Sequence, residues 1–499
     1  MPRRRFLHTT IVILAACTLT ATLGGIVATP ATASSSAVVP INLSAVGSTT
    51  HPNDTDSVRL RQILRHTNQF ALTTWYNETK NFDAQTSTYL SFGGTSEHYV
   101  RPVAAQAFGL AASLKLNVYQ TGNNSNPSPP TSEAKTKTIK LISSVAYRHV
   151  SNTTGGWGVS TAPQNPAGKG GWDYAGWQTA HWAAFAGFAG WLMWDDLSTT
   201  DREYVRKMVE FEANRFNEYS VPYYRTESGT FTFPGDTKGE ENAWNAQLLH
   251  VATAMMPDHA NHATWMRKSI ELMISATARP ADVTSTTELH GKTVAEWVNG
   301  SNANNDGTMV NHDRVHPDYM ETIAINAHAG LAYSLADKAT PKAAMFNADR
   351  IYDAFVDLNF VSGEKTYTED SKVKDRTNAS PGGTIYIDDS DSIYYPHGND
   401  WGTGRRMQFA TMDVFADTFG FDSLASQKGS YWEPLHAKKV IDMQKRHTDR
   451  KTYAGKYNDT NTEDSYQGRE EWVSHHAGWA YLARWIDFHG AYSTTNATY

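Results

Sequence analysis

Cysteine is nearly absent from the 499-residue sequence, which contains a single one, Cys17. A secreted chain without disulfides has to be held together by a large core, which small disulfide-rich domains cannot build. The sequence also lacks a tight metal-binding motif such as His-Glu-x-x-His, so no required metal or other cofactor is expected. Stability must therefore come from packing, and chemistry from the side chains themselves.

An excess of basic residues is missing as well, since 44 lysines and arginines face 51 acidic residues and the formal net charge is −7. Nucleic acid is not expected as a partner, because phosphate binding needs a basic face. Aromatic residues are plentiful, with 15 tryptophans and 24 tyrosines. Flat aromatic faces can stack on sugar rings, although ordinary core and surface positions explain most of them.

Long apolar runs are confined to the N-terminus. Arginines at positions 3–5 precede an apolar stretch from Thr10 to about Ala28, and residues 31–33 offer a small-x-small cleavage site. This pattern predicts a signal peptide over residues 1–33 and a secreted, extracellular protein without a membrane span. Lipoprotein cleavage at Cys17, which would leave the chain lipid-anchored, is the alternative.

Strand-like alternation is sparse, and apolar residues recur instead at helical spacing. The segments with helical spacing are 57–76, 97–119, 133–150, 175–194, 199–219, 242–256, 261–278, 320–337, 341–358, 405–419, 432–446 and 469–488. Ser198 and Pro341 are typical of helix starts. Residues 229–233 and 384–387 alternate like the strands of small hairpins.

These helices predict an all-α fold, with residues 34–499 forming one catalytic domain. About twelve helices, paired into six hairpins and closed around one axis, would make an (α/α)6 toroid with a cleft at one rim. A stacked α-solenoid is the alternative, but no fixed repeat period supports it.

The densest polar segment is 304–319, Asn-Asn-Asp-Gly-Thr-Met-Val-Asn-His-Asp-Arg-Val-His-Pro-Asp-Tyr, which precedes a predicted helix. Acids, histidines and amides at this density between helices are typical of a functional loop on a rigid scaffold. A well hydrogen-bonded structural loop is the alternative.

Two further segments carry candidate chemistry. Residues 239–245, Gly-Glu-Glu-Asn-Ala-Trp-Asn, open a helix, where helix capping by Asn242 with acids at the positive helix end is the alternative to a functional role. Residues 394–406 combine aromatics, an acid and two arginines with glycines that permit close backbone approach. A glycine-rich turn with solvated arginines is the alternative there.

These segments resemble the family of chondroitin, hyaluronan and xanthan lyases and, more loosely, the heparinase-type toroid lyases. In that family an Asp-Gly-Ser/Thr-x-x-x-His sequence carries the catalytic histidine, and a catalytic tyrosine follows shortly after it. The matching positions here are His312, preceded by residues 306–308, and Tyr319. The resemblance covers these short motifs and the helical toroid, without the β-sandwich domains that such lyases usually add.

The resemblance extends to two more positions. The family's asparagine, in a Glu-Asn-x-Trp-like context, matches Asn242, and an arginine from a Gly-Arg-rich segment matches Arg405 or Arg406. It implies a lyase that cleaves a uronic-acid-containing polysaccharide by β-elimination. Asn242 and His312 would neutralise the substrate's carboxylate while an arginine orients it. Tyr319 or His312 would remove the C5 proton, and Tyr319 would protonate the departing O4.

The expected partner is thus an acidic polysaccharide or oligosaccharide. The residues expected to bind it are Glu241, Trp244, Asn245, Asp306, His316, Tyr395, His397, Trp401 and Arg406, together with Trp177, His98 and Arg101. The main alternative is a glycoside hydrolase on the same toroid, which would use two carboxylates. Candidate acids for that chemistry are Glu240, Glu241, Asp306, Asp313, Asp318 and Asp400. A non-catalytic carbohydrate-binding protein is a third hypothesis.

Overall fold

The computed structural model describes residues 37–41, 43–122, 127–152, 178–362, 382–398, 405–453 and 469–499. The chain is predominantly helical, as the sequence predicts. Its helices are α1 Thr55–Phe70, α2 Val100–Lys115, α3 Thr131–Tyr147, α4 Thr179–Leu192, α5 Thr199–Asn214, α6 Gly239–Met255, α7 His262–Thr277, α8 Val294–Trp297, α9 Pro317–Met320, α10 Thr322–Leu335, α11 Ala348–Val356, α12 Arg406–Phe419, α13 Gly429–Lys445 and α14 Arg469–Phe488. A π-helix, Ala71–Thr79, continues α1.

The strands are short and pair two by two. They are β1 Arg225–Thr226, β2 Glu288–Leu289, β3 Lys292–Thr293, β4 Gly300–Ser301, β5 Val310–Asn311, β6 Arg314–Val315, β7 Thr340–Pro341 and β8 Thr494–Thr495. β1 pairs with β4, β2 with β3 and β5 with β6 in antiparallel register, and β7 pairs with β8 in parallel. The two predicted hairpins are present as single bridges, Arg225 to Phe231 and Tyr386 to Ile393.

Each of the predicted helical segments contains a helix, and Ser198 caps α5 by accepting a hydrogen bond from the Asp201 amide. The prediction for 341–358 is wrong at its start. Pro341 belongs to β7, where residues 340–341 pair with the C-terminal strand, and α11 begins only at Ala348. Asn347 precedes it with a φ of 54°, so the backbone changes direction immediately before the helix.

Six helices pack in a circular order. α2 packs against α4, α4 against α6, α6 against α10, α10 against α12, α12 against α14, and α14 again against α2. The helices α1, α3, α5, α7 and α13 each pack against one or two members of this circuit. We refer to α2, α4, α6, α10, α12 and α14 as the six-helix circuit.

Composition explains why these helices are central. Every residue of α4 and of α10 is buried, whereas α5 buries only one face. The α4 sequence, Thr-Ala-His-Trp-Ala-Ala-Phe-Ala-Gly-Phe-Ala-Gly-Trp-Leu, is apolar on all sides, which is typical of a helix surrounded by others. In the described part of the chain, no helix is both long and apolar enough to cross a membrane.

Histidines from the six-helix circuit lie in this interior. His181 donates from Nδ1 to Gln247 Oε1 at 2.6 Å, and the rings of His250 and His328 stack with centroids 6.0 Å apart. Neither ring nitrogen of His250 has a hydrogen-bond partner among the described residues. Burial lowers the pKa of His181 and of His250 to about 3, so both are neutral at physiological pH.

We predict that replacing His250 with Phe changes how stability responds to acid. The unfolded chain protonates this histidine near its ordinary pKa, while the folded chain keeps it neutral down to about 3. Wild type is therefore fully stabilised above the ordinary pKa of histidine and loses stability as the pH falls below it. H250F does not have this loss, so its free energy of unfolding minus that of wild type should be about 2 kcal/mol larger at about pH 5 than at about pH 7.5.

Urea denaturation of both proteins at the two pH values measures this double difference. Every carboxylate is shared by the two proteins, so its own pH dependence cancels in the comparison. A difference between H250F and wild type that is the same at both pH values would contradict the prediction.

Candidate functional site

His312 and Tyr319, the two residues predicted to act on protons, lie in contact. The Tyr319 hydroxyl and His312 Nε2 are 3.1 Å apart. His312 and Asp313 form the two-residue turn between β5 and β6, with φ of 51° and 59°. Positive φ at both central residues is typical of a type I′ hairpin turn. Tyr319 follows in α9, so the chain folds back and brings the two rings together.

Two adjoining cavities share Glu240, His312 and Tyr319 in their walls. The first, of about 340 Å³, is also lined by Asp236, Thr237, Glu241 and Asn311. The second, of about 330 Å³, is also lined by Glu97, His98, Arg101, Gln178, Trp244, Arg405 and Trp472. We call them the acidic cavity and the arginine cavity, and together the cleft.

The cleft is built from the N-terminal ends of the six-helix circuit. Arg101, Glu240 and Trp472 lie in the first turns of α2, α6 and α14. Gln178 lies directly before α4, and Arg405 lies directly before α12. Tyr319 lies in α9, just before α10. Unpaired N–H groups give each such helix end a partial positive charge.

Trp472 lies within cation–π distance of both arginines of the arginine cavity. The Arg405 guanidinium is 4.5 Å from its ring centroid and that of Arg101 is 5.3 Å away. Arg101 donates from Nη1 to Gln178 Oε1 at 2.9 Å, while its Nε and Nη2 have no hydrogen-bond partner among the described residues. Because a buried cation is costly without an anionic or polar partner, this side suits a ligand carboxylate.

Lys238 joins two of the three carboxylates that line the acidic cavity. Its Nζ lies 2.7 Å from Asp236 Oδ2 and 2.9 Å from Glu241 Oε1. Burial raises the pKa of Glu241, and the Lys238 ammonium opposes that rise. Burial also raises the pKa of Glu240 well above its ordinary value, an effect that Arg405 reduces and Glu321 increases.

Asn242, predicted to neutralise the substrate's carboxylate, lines neither cavity. Its side chain is fully buried, and Nδ2 donates to the Pro222 carbonyl at 3.0 Å and to Ser275 Oγ at 3.1 Å. The alternative that Asn242 caps the helix is wrong, because α6 begins at Gly239. At 100° per residue, Asn242 lies about 200° around the helix from both Glu240 and Trp244, so it points away from the cleft that those two residues line.

Three other predicted binding residues lie behind the cleft walls. Asn245 hydrogen-bonds the Tyr219 hydroxyl. His316 is fully buried, with its ring packed edge-on against Tyr319 at a centroid distance of 5.0 Å. Tyr395 donates to Asp318 Oδ1 at 2.8 Å. The contacts of His316 and Tyr395 support the 304–319 segment from within the protein.

Asp306 and His397 line a separate cavity of about 130 Å³. Asp306 Oδ1 accepts hydrogen bonds from the amide of Thr308 at 2.9 Å and from its hydroxyl at 2.7 Å, which fixes the turn. His397 Nδ1 accepts from the Val315 amide at 3.1 Å. Arg406 is buried and lines neither part of the cleft. Trp177, Trp401 and Asp400 lie outside the described residues.

The cleft thus brings together seven of the predicted site residues, His98, Arg101, Glu241, Trp244, His312, Tyr319 and Arg405. Sequence reasoning misses Trp472, which only its two arginine neighbours distinguish from the other tryptophans of the chain. It also misses Asp236 and Thr237. Their position just before the 239–245 segment could have indicated them, because that segment was already a candidate site.

Within the described ranges, no group of three histidine, cysteine, aspartate or glutamate side chains is arranged to hold a metal ion. Neither a scan against protein-family models nor a search of curated proteins finds a match for this chain. The chemistry of the cleft has to be inferred from its own residues.

We predict that Gly307 is needed to shape the loop that carries His312. Its φ is 92°, and a Cβ there would lie 2.4 Å from the Arg350 carbonyl oxygen. Gly229 has a similar φ of 83°, but a Cβ added there would have no atom within 4 Å, so Ala at that position isolates the backbone strain. G229A should lower the free energy of unfolding by about 1 kcal/mol, and G307A by about 3 kcal/mol. Equal losses in urea denaturation would contradict this assignment.

Proposed function

We propose that the protein is a secreted polysaccharide lyase that cleaves a uronic-acid-containing polysaccharide by β-elimination. The observation that carries the proposal is the 3.1 Å contact between Tyr319 and His312, in a cleft that also contains two arginines. To remove the proton next to a carboxylate, an enzyme needs a proton-transfer pair beside groups that bind that carboxylate.

The circular packing of the six-helix circuit supports an (α/α)6 toroid as the scaffold. In such a toroid the inner helices share one direction, and their N-terminal ends open at one rim. The lining of the cleft by residues at or before six helix starts fits that arrangement.

The uronate would bind in the arginine cavity. The guanidinium groups of Arg101 and Arg405 can hold its carboxylate, and the helix ends add their partial charges. Trp472 and Trp244 offer flat faces for the sugar rings. Asn242 then has a supporting role, because it ties the start of α6 to Pro222 and Ser275.

Tyr319 and His312 can together carry out the proton transfers of the elimination. Tyr319 Oη takes the C5 proton while its own proton passes to His312 Nε2, and the electron pair of the C–H bond spreads onto the carboxylate. Those electrons then form the C4=C5 double bond as the C4–O4 bond breaks. Tyr319 protonates O4 and recovers its proton from His312, so both side chains end as they began.

A glycoside hydrolase remains the second candidate function, on a specific observation. The acidic cavity holds Asp236, Glu240 and Glu241 together, and burial raises the pKa of Glu240. A carboxylic acid beside an ionised carboxylate is the arrangement that glycoside hydrolysis uses. In that case Glu240 would protonate the departing oxygen and an amide at position 240 would abolish cleavage.

We predict that Y319F lowers turnover of the cleaved uronate polymer by about 100-fold or more, while the dissociation constant changes by less than about threefold. The substitution removes only the hydroxyl that carries the proton. Ultraviolet absorbance of the C4=C5 product, across a panel of uronate-containing polysaccharides, measures the rate.

The matched control is Y431F, because Tyr431 is a tyrosine with an exposed, hydrogen-bonded hydroxyl that lines neither cavity. Y431F should turn over like wild type. A Y319F protein that is folded and as active as Y431F would rule out Tyr319 as the group that transfers the proton.

We also predict that R101Q lowers kcat/KM by about 100-fold, because one of the two cations for the substrate's carboxylate is lost. Arg206 supplies the control, since it pairs with Glu203 on the outer face of α5. R206Q should retain the wild-type kcat/KM. Equal kcat/KM values for R101Q and R206Q would show that Arg101 does not bind the substrate.

A further inference from the structure

Among the described residues, Glu240 is the one carboxylic side chain that lines both cavities of the cleft. None of these residues forms a hydrogen bond or a salt bridge with the Glu240 carboxyl group. The side chain is only 4% exposed and lies in the first turn of α6. It therefore faces the same space as the Tyr319–His312 pair without being neutralised by a paired cation.

Glu240 and Glu241 differ in whether a cation is paired with the carboxylate. Glu241, the next residue, is held by Lys238 at 2.9 Å and so has a partner that stabilises its charge. Glu240 lacks such a partner among the described residues, although it lies where the proposed uronate carboxylate would contact Arg101 and Arg405. Glu240 and the uronate carboxylate would repel each other if both were ionised, whereas a neutral Glu240 can donate a hydrogen bond to the uronate carboxylate.

We propose that Glu240 acts in its protonated form as a hydrogen-bond donor to the carboxylate of the bound uronate, and so stabilises the negative charge that develops there during elimination. This inference rests on the proposed lyase function and adds a catalytic residue to it. Glu240 would supply the donor that the family resemblance assigned to Asn242, whose own amide nitrogen is bound to Pro222 and Ser275.

The surroundings of Glu240 agree with a neutral acid. Burial is the largest effect on its pKa and raises it well above the ordinary value, and Glu321 raises it further. Glu321 is itself buried, and its Oε1 lies 2.8 Å from His476 Nε2. The titratable and charged groups around the Glu240 carboxyl are Arg101, His98 and Glu97 at α2, Glu241 at α6, Asp236 before it, Glu321 at α10, Arg405 at α12, and His312 and Tyr319.

The proton on Glu240 also sets a direction for the pH dependence of the reaction. Because the acid must be protonated to donate, kcat/KM should fall on the alkaline side as Glu240 loses its proton. Glutamine has nearly the same shape and donates through its amide nitrogen at any pH. E240Q should therefore keep the donor and lose this alkaline decline.

The test compares E240Q and E240A with wild type by initial rates of ultraviolet-absorbing product over a pH series. E240Q should retain kcat within about tenfold and lose the alkaline decline, while E240A should lose about 100-fold in kcat. A folded E240Q that is as inactive as E240A would overturn the inference, because Glu240 would then have to transfer a proton. Full activity of E240A would overturn it as well.

A second measurement does not depend on turnover. The infrared difference spectrum of wild type minus E240Q at neutral pH should contain the C=O stretch of a protonated carboxylic acid. The wild type minus E203Q spectrum, for an exposed glutamate that pairs with Arg206, should contain only carboxylate bands. An ionised carboxylate band for Glu240 would overturn the inference. Failure of the lyase function itself would be recognised separately, as an absence of unsaturated product from the wild-type protein.

Discussion

The convergence of helix N-terminal ends on one cleft is the constraint on which the rest of the site depends. Each end brings N–H groups without intrahelical partners, and the cleft adds Arg101 and Arg405 to them. Positive charge in a partly buried space is balanced by acidic side chains or by an anionic ligand. The ionised carboxylates of the cleft supply part of that balance and the proposed uronate supplies the rest, while the role proposed for Glu240 requires it to be neutral.

The helices that bring these ends together are held by an interior that is apolar but contains histidines. Burial keeps His181 and His250 neutral, with pKa values lowered to about 3, so they pack as aromatic rings. Trp244, which lines the cleft, stacks on His181 with ring centroids 4.9 Å apart. The wall of the cleft therefore rests directly on this interior, and acid that protonates the histidines would weaken both.

Much of the fold follows from the sequence, because helical periodicity is a local signal. Circular packing needs contacts between segments far apart in the chain, and periodicity does not specify these. The pairing of His312 with Tyr319 was also predictable, since a tight hairpin and one helical turn bring them together within a short segment. The burial of Asn242 was not predictable, because it depends on which face of α6 meets the cleft. Glu240 and Trp244 lie on that face, and Asn242 lies on the opposite side of the helix.

Two features of the cleft, the surroundings of Trp472 and the pKa of Glu240, depend on residues that are far apart in the sequence. Trp472 is notable only for the two guanidinium groups beside it, and both come from distant helices. Likewise, burial and Glu321 raise the pKa of Glu240 while Arg405 lowers it, and both of these residues lie on other elements. Environment of this kind arises only when the chain has folded.

Elimination and hydrolysis of the same glycosidic bond differ by one water molecule in the product. The mass of the fragment that carries the new non-reducing end is therefore the most direct measurement of what the cleft does. The lyase chemistry proposed for Tyr319 and His312 predicts a fragment lighter by one water, with an unsaturated uronate at that end. A fragment that has gained the elements of water would contradict it and would move the chemistry to the carboxylates of the acidic cavity.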